Sequence, residues 1–159
     1  MRTVLAALVI TGAVFFLPCC SSEKGTSLEI RDAISGKVYG KWSLNGKGEL
    51  VGNKEFSIEF IHSVNQSPVR ETFGIEGGKI MPLSVRFSSF GAGMQSDLEE
   101  GQVISRDGDA MVITGFKTSF NELNYIVGTV SDHLLIIDNK TISLRELCGR
   151  NAQIIIRVK

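Results

Sequence analysis

From position 27 onward, apolar and polar residues alternate along most of the chain. Leu28 and Ile30 are flanked by polar neighbours, and so are Val38, Trp42 and Leu44 around Gly40. The clearest run lies between Glu55 and Val64. Phe56, Ile58, Phe60, His62 and Val64 fall on one face, while Ser57, Glu59, Ile61 and Ser63 fall on the other. A period of two is the signature of a strand with one face buried. A second such run covers Val69 to Ile75. A third follows Gly77-Gly78 and places Met81, Leu83, Val85 and Phe87 together, with Pro82 marking an edge or a bend. Further strands are predicted over Val103–Ser105, Ala110–Phe116, Tyr125–Val130, Leu134–Asp138 and Gln153–Val158. Asn45-Gly46-Lys47-Gly48, Asp107-Gly108 and Asp138-Asn139-Lys140 read as turns between them. Ser143-Leu144-Arg145-Glu146 has capping-box spacing and predicts one short helical turn that stops at Gly149. The pattern predicts one all-β domain over residues 27–159. It is an antiparallel β-sandwich or open barrel with a short helical turn near the C-terminus.

The same alternation sets the candidate chemistry. If Asn65 to Pro68 form a four-residue loop, Val64 faces Val69, His62 faces Glu71, Phe60 faces Phe73 and Ile58 faces Ile75. His62 and Glu71 then meet as a cross-strand pair with Cβ atoms about 5 Å apart on an otherwise apolar face. Burying either group alone is costly, and burying them as a hydrogen-bonded pair is tolerable. The pair has two readings. Either Glu71 holds His62 in one tautomer at the sheet end, or the two, with Ser63, line a pocket for an anionic ligand, a metal or a partner loop. His133 would complete a two-histidine, one-carboxylate set, but the spacing carries no ligand motif and no metal is predicted. In Phe90-Gly91-Ala92-Gly93-Met94, Gly91 and Gly93 suit either an anion-binding nest or a tight connection between strands. There is no Gly-x-Ser-x-Gly elbow, His-Glu-x-x-His pair, phosphate-binding loop or dinucleotide fingerprint. The expectation is a non-enzymatic protein without a cofactor.

The N-terminus has a different character. Arg2 precedes an uncharged apolar run of fourteen residues, Val4 to Leu17. A spanning helix needs about 20 such residues, so the run fits a secretory signal over residues 1–19. It ends at Leu17-Pro18-Cys19-Cys20-Ser21-Ser22, which resembles a bacterial lipobox. Cys20 has Leu17 three positions before it and is a better lipid acceptor than Cys19, which has Phe16 there. Residues 20–26 then form a polar tether. With Cys20 acylated, Cys148 is the thiol left in the mature chain, and its apolar neighbourhood marks it as a packed residue. The full chain holds seventeen basic and seventeen acidic residues, and removing the first nineteen leaves sixteen against seventeen. That balance argues against a nucleic-acid partner, which selects a basic excess.

Phe60-Ile61-His62-Ser63-Val64, Pro68-Val69, Glu71, Phe73, Arg86-Phe87 and Ser89-Phe90-Gly91-Ala92-Gly93-Met94 together resemble the domain of unknown function 1850 family, over roughly Leu44 to Val158. His133, just ahead of an apolar strand, fits the same pattern. The resemblance implies a small exported or membrane-anchored protein of a kind often encoded beside tripartite (TRAP) transporters of the TAXI type. It therefore implies an accessory or binding role beside solute uptake. The expected partners are a transporter subunit or a small carboxylate solute, and the membrane through the lipid. The expected location is the cell envelope, on the periplasmic side of a membrane if the cell is Gram-negative. A purely structural or adaptor lipoprotein is the alternative. The anchor is tested by feeding labelled palmitate to cells: the wild-type chain takes up label and Cys20→Ser does not, whereas equal labelling of both removes Cys20 as the acceptor.

Overall fold

The computed structural model describes residues 27–44, 55–64, 66–88 and 98–159. Among them the chain forms eleven strands and one short helix. In order these are β1 (Ser27–Asp32), β2 (Val38–Ser43), β3 (Glu55–Ile61), β4 (Pro68–Glu76), β5 (Lys79–Phe87), β6 (Val103–Asp107), β7 (Ala110–Thr114), β8 (Glu122–Ile126), β9 (His133–Ile137), β10 (Lys140–Ser143), α1 (Leu144–Cys148) and β11 (Gln153–Val158). They build two antiparallel sheets, one ordered β2-β1-β11-β8 and the other β10-β9-β3-β4-β5-β7-β6. The sheets pack face to face, so the domain is an all-β sandwich. Leu28, Ile30, Ile154 and Ile156 of the smaller sheet are wholly buried against Phe56, Ile58, Phe73, Leu135 and Ile137 of the larger one. Phe56 and Phe73 stack across β3 and β4 with ring centroids 5.2 Å apart.

The sheets differ in width. At about 4.8 Å between strands, four strands span about 14 Å and seven about 29 Å. The smaller sheet therefore covers only part of the larger. The main core lies beneath β1 and β11, and a second cluster of Val69, Phe87 and Ile113 lies beside it on β4, β5 and β7. The segment from Gly115 to Asn121 crosses from β7 to β8. Ile80 and Phe120 pin it to β5 by exchanging two backbone hydrogen bonds of 2.8 Å.

Turn chemistry fixes the hairpins. Gly77 and Gly78, with φ of 56° and 76°, link Glu76 to Lys79, and Asp138 and Asn139, at 49° and 59°, link Ile137 to Lys140. Two consecutive positive φ values match the right-handed twist of the flanking strands. Ser143 caps α1 by accepting the Glu146 amide at 3.0 Å, and Gly149 closes it by donating to the Arg145 carbonyl. On the outer face of the smaller sheet, Glu29 is flanked by its cross-strand neighbours Arg157 and Lys41, at 2.6 and 3.0 Å. Burial opposes its charge, but the hydrogen bonds and positive charges of Lys41 and Arg157 together outweigh it and hold the carboxyl below its ordinary value. The long side chains of those partners cover it.

Three sequence expectations are corrected. First, the β3–β4 loop has six residues, not four. Pairing ends at Ile61 opposite Pro68, and the loop is closed by the His62 amide donating to the Ser67 carbonyl and the Gln66 amide to the His62 carbonyl, both at 2.9 Å. Phe60 therefore faces Val69, Ile58 faces Glu71 and Phe56 faces Phe73. The shift is an even number of residues, so every predicted face survives, but His62 leaves the sheet and no longer opposes Glu71. Second, β5 bulges at Leu83, since Thr72 faces Ser84 and Phe73 faces Pro82. The buried positions become Ile80 and Phe87, while Leu83 turns outward over Gly74. Pro82 does lie at an edge, because β7 pairs only with Ser84 to Phe87. Third, the strand placed at Tyr125–Val130 ends at Ile126, and Lys140–Ser143 forms a strand that the alternation did not single out. The Asn45-Gly48 turn lies outside the described residues.

The register predicts a contrast in urea denaturation. Ile58→Ala, deep in the core, costs about 2–5 kcal/mol, whereas Val64→Ala, in the loop, changes stability by less than about 0.5 kcal/mol. Comparable losses at both positions would restore the four-residue loop, which buries both.

Candidate functional site

Along the inner face of β4, Val69 belongs to the smaller hydrophobic cluster and Phe73 to the main one; Glu71 stands between them. Its cross-strand neighbours, Ile58 on β3 and Val85 on β5, are apolar. The partner comes from the other sheet. Tyr125, on the edge strand β8, donates its phenolic hydrogen to Glu71 Oε2 at 2.5 Å. Leu123 and Tyr125 point inward because β8 alternates them with Glu122 and Asn124, which are exposed.

The electrostatics follow from this placement. Burial pushes the Glu71 carboxyl above its ordinary value, and the hydrogen bond from Tyr125 only partly opposes the rise. Tyr125 is raised far more, first by burial and then by the adjacent Glu71 charge and hydrogen bond, and stays protonated at any physiological pH. The pair floors a cleft of about 600 Å³ that opens where the smaller sheet stops. Phe73, Pro82, Ser84 and Val85 form one wall, Leu123, Asn124 and Tyr125 a second, and Phe116, Thr118 and Phe120 of the crossing segment a third. Glu99 and Gln102 stand at the rim, tied to each other through the Glu99 amide and the Gln102 side chain at 2.9 Å.

A second hollow of about 380 Å³ lies at the loop end of the sandwich, lined by His62, Ser63, Gly128, Ser131 and His133 among others. His133 stacks on Phe60 with centroids 5.0 Å apart and meets the Tyr125 ring edge-on at 6.1 Å. Its Nδ1 accepts the Gly128 amide at 3.1 Å, which assigns the proton of the neutral ring to Nε2. Burial lowers its pKa, and the nearby Arg145 adds to that effect while Asp132 opposes it. Gly128 is required here, since a Cβ would lie 2.2 Å from the Ser131 carbonyl oxygen. His62 Nδ1 accepts the Val64 amide at 3.3 Å.

Of the residues singled out from sequence, His62, Ser63 and His133 thus share one hollow, and Glu71 belongs to another. Gly91, Gly93 and Cys20 lie outside the described residues. No group of three or more His, Cys, Asp or Glu among the described residues is arranged to hold a metal ion. The Cys148 thiol is pushed up to about 11, by burial and then by Asp32, and is therefore a thiol rather than a nucleophilic thiolate at neutral pH. Sequence reasoning missed Tyr125. The available signal was a phenol on the apolar side of an alternating strand, a position where a hydroxyl needs a partner. Compared with known proteins, residues 56–144 match the model of a family described as Domain of unknown function (DUF1850). No curated protein and no solved structure matches the chain.

The raised Glu71 carboxyl makes a signed prediction. The folded state binds this proton more tightly than the unfolded chain, whose carboxyl titrates near 4.5. The stabilising contribution is therefore complete below that pH and is lost as pH rises through the folded value. The neighbouring groups that bear on it are Tyr125, His133 beyond the Tyr125 ring, Glu99 at the rim, and the exposed Lys117–Glu100 pair. Glu71→Gln keeps an acceptor for Tyr125 and removes the buried charge. Its melting temperature should exceed the wild type's by a few degrees at pH 7.5 and equal it below pH 4. A lower value at pH 7.5 contradicts the burial account.

Proposed function

Because the chain belongs to the DUF1850 family, whose description assigns no activity, we propose its function from the site: a non-enzymatic binding domain, tethered at the cell envelope, that takes a small molecule into the cleft between its sheets. The observation that carries this reading is the Glu71–Tyr125 pair at the floor of a 600 Å³ cleft with aromatic walls. Ligand sites characteristically combine an apolar lining with a few converging polar groups, one of them with a displaced pKa. The reading as a binding site rather than a reactive one is supported by the Tyr125 hydrogen being held on Glu71, and by the lack of a histidine among the described residues that line the cleft.

Tethering is proposed from the lipobox-like Leu17-Pro18-Cys19-Cys20, and the accessory role beside a TRAP transporter of the TAXI type from what the sequence resemblance implies. No helix among the described residues is long and apolar enough to cross a membrane. The register adds a geometric argument. Ser27, where the described chain begins, pairs with Ser43 and Lys159 at one end of the smaller sheet. The loops after β3 and β8 lie at the opposite end, where β11 begins. A tether through residues 20–26 would therefore join the domain at the end opposite these loops and their His62–His133 hollow. An adaptor role is the second reading. It is favoured by Val64 and Val130, which are 64% and 91% exposed on those outward loops.

The cleft is tested with the neutral fluorescent probe N-phenyl-1-naphthylamine. Its emission should rise saturably with one site per chain and lose that rise in Thr118→Trp, which fills the cleft from the exposed crossing segment without touching the core. An unchanged response in a folded Thr118→Trp variant removes the cleft as the binding site.

A further inference from the structure

The polar groups facing the cleft constrain what can enter it. The Tyr125 hydrogen is committed to Glu71 Oε2, so the floor offers only acceptors: the lone pairs of the phenol oxygen and the second carboxyl oxygen. A ligand group placed there has to supply hydrogens. Charge points the same way. Among the described residues the lining holds two carboxyl groups, Glu71 and Glu99, and no lysine, arginine or histidine. Lys117, which flanks the lining in sequence, is exposed and paired with Glu100 at 2.9 Å. A carboxylate, the solute expected from the sequence reading, meets neither a cation nor a free donor at this floor. The walls carry the Phe116 and Phe120 rings nearer the opening and the buried Phe73 ring deeper in, interspersed with the neutral polar side chains of Ser84, Thr118 and Asn124. Aromatic faces attract cations as well as hydrocarbon.

We propose that the cleft binds a primary ammonium ligand carrying an apolar or aromatic body, with the ammonium on Glu71 and Tyr125 and the body against the phenylalanine walls. The inference rests on the reading of the cleft as a ligand site and names the ligand's chemical class. Three donors on a protonated amine match the acceptors of the floor, and the charge of the amine replaces the missing counter-ion of Glu71. The arrangement also gives selectivity, since an alcohol of the same length brings one donor and no charge, and a carboxylate brings none.

The test compares octylammonium, 1-octanol and octanoate by isothermal titration calorimetry on the purified protein at pH 7.5. Octylammonium should bind at one site at least tenfold more tightly than either analogue. Glu71→Gln should lose at least tenfold of the octylammonium affinity while leaving octanol binding within twofold. Its melting curve confirms that it folds, and Tyr125→Phe, which keeps the carboxylate, should retain most of the preference for the amine. Octanoate or octanol binding as tightly as octylammonium overturns the ammonium assignment but leaves the cleft as a site. Failure of all three to bind, together with no response to the neutral probe, overturns the cleft reading itself.

Discussion

A carboxyl group set between two β-sheets loses much of the water shell that would hold its charge, so the protein has to supply a hydrogen bond, a counter-ion or a proton. Here the supply is the Tyr125 hydroxyl, reaching from the edge of the smaller sheet to Glu71 on the larger one. One phenol is a modest answer to that demand. It satisfies one lone pair and leaves the carboxyl displaced upward. The pair also ties the sheets together at the seam between two hydrophobic clusters. A fully satisfied core would contain no such group. Its presence at the floor of a cleft is what separates this place from the rest of the sandwich.

The cleft itself is a consequence of strand count. Four strands cannot cover seven, and the smaller sheet is centred over β9, β3 and β4 because β1 and β11 carry the large aliphatic side chains that bury Phe56, Ile58 and Leu135. Its edge strand β8 then falls beside β4 and β5. The crossing segment, pinned at Ile80 and Phe120, closes one side of the resulting gap. Opposed to this is the other end of the interior, where α1 follows β10 and Leu144 plugs the core. Among the described residues, closure at one end and the edge strand β8 at the other make the site a product of the architecture.

Much of this was legible in the sequence, and the failures have identifiable causes. Alternation placed Phe56, Ile58, Val69, Glu71 and Phe73 on the inner face, and it did so correctly even though the hairpin register was wrong. A loop lengthened from four residues to six shifts the pairing by an even number, and parity is all that alternation encodes. The lengthening comes from backbone hydrogen bonds within residues 62–67, involving His62, Gln66 and Ser67. The composition of that loop does not specify them. His62 therefore left Glu71 and joined His133. The true partner of Glu71 lies 54 residues away on the facing sheet, and a contact between sheets has no register rule by which it can be read. The bulge at Leu83 was hidden for a related reason. Pro82 announced an irregularity without saying which residue would be turned out.

The account depends on Glu71 being a buried carboxyl whose proton is held more tightly than in water, with Tyr125 as its hydrogen-bond donor. The most direct measurement is the pH titration of the Glu71 side-chain carbon by NMR in wild-type protein and in Tyr125→Phe. The predicted midpoint is above 4.5 in the wild type and higher still in Tyr125→Phe, because the phenol's hydrogen bond favours the ionised form. A wild-type midpoint at or below 4.5, or one unmoved by the loss of the phenol, contradicts it.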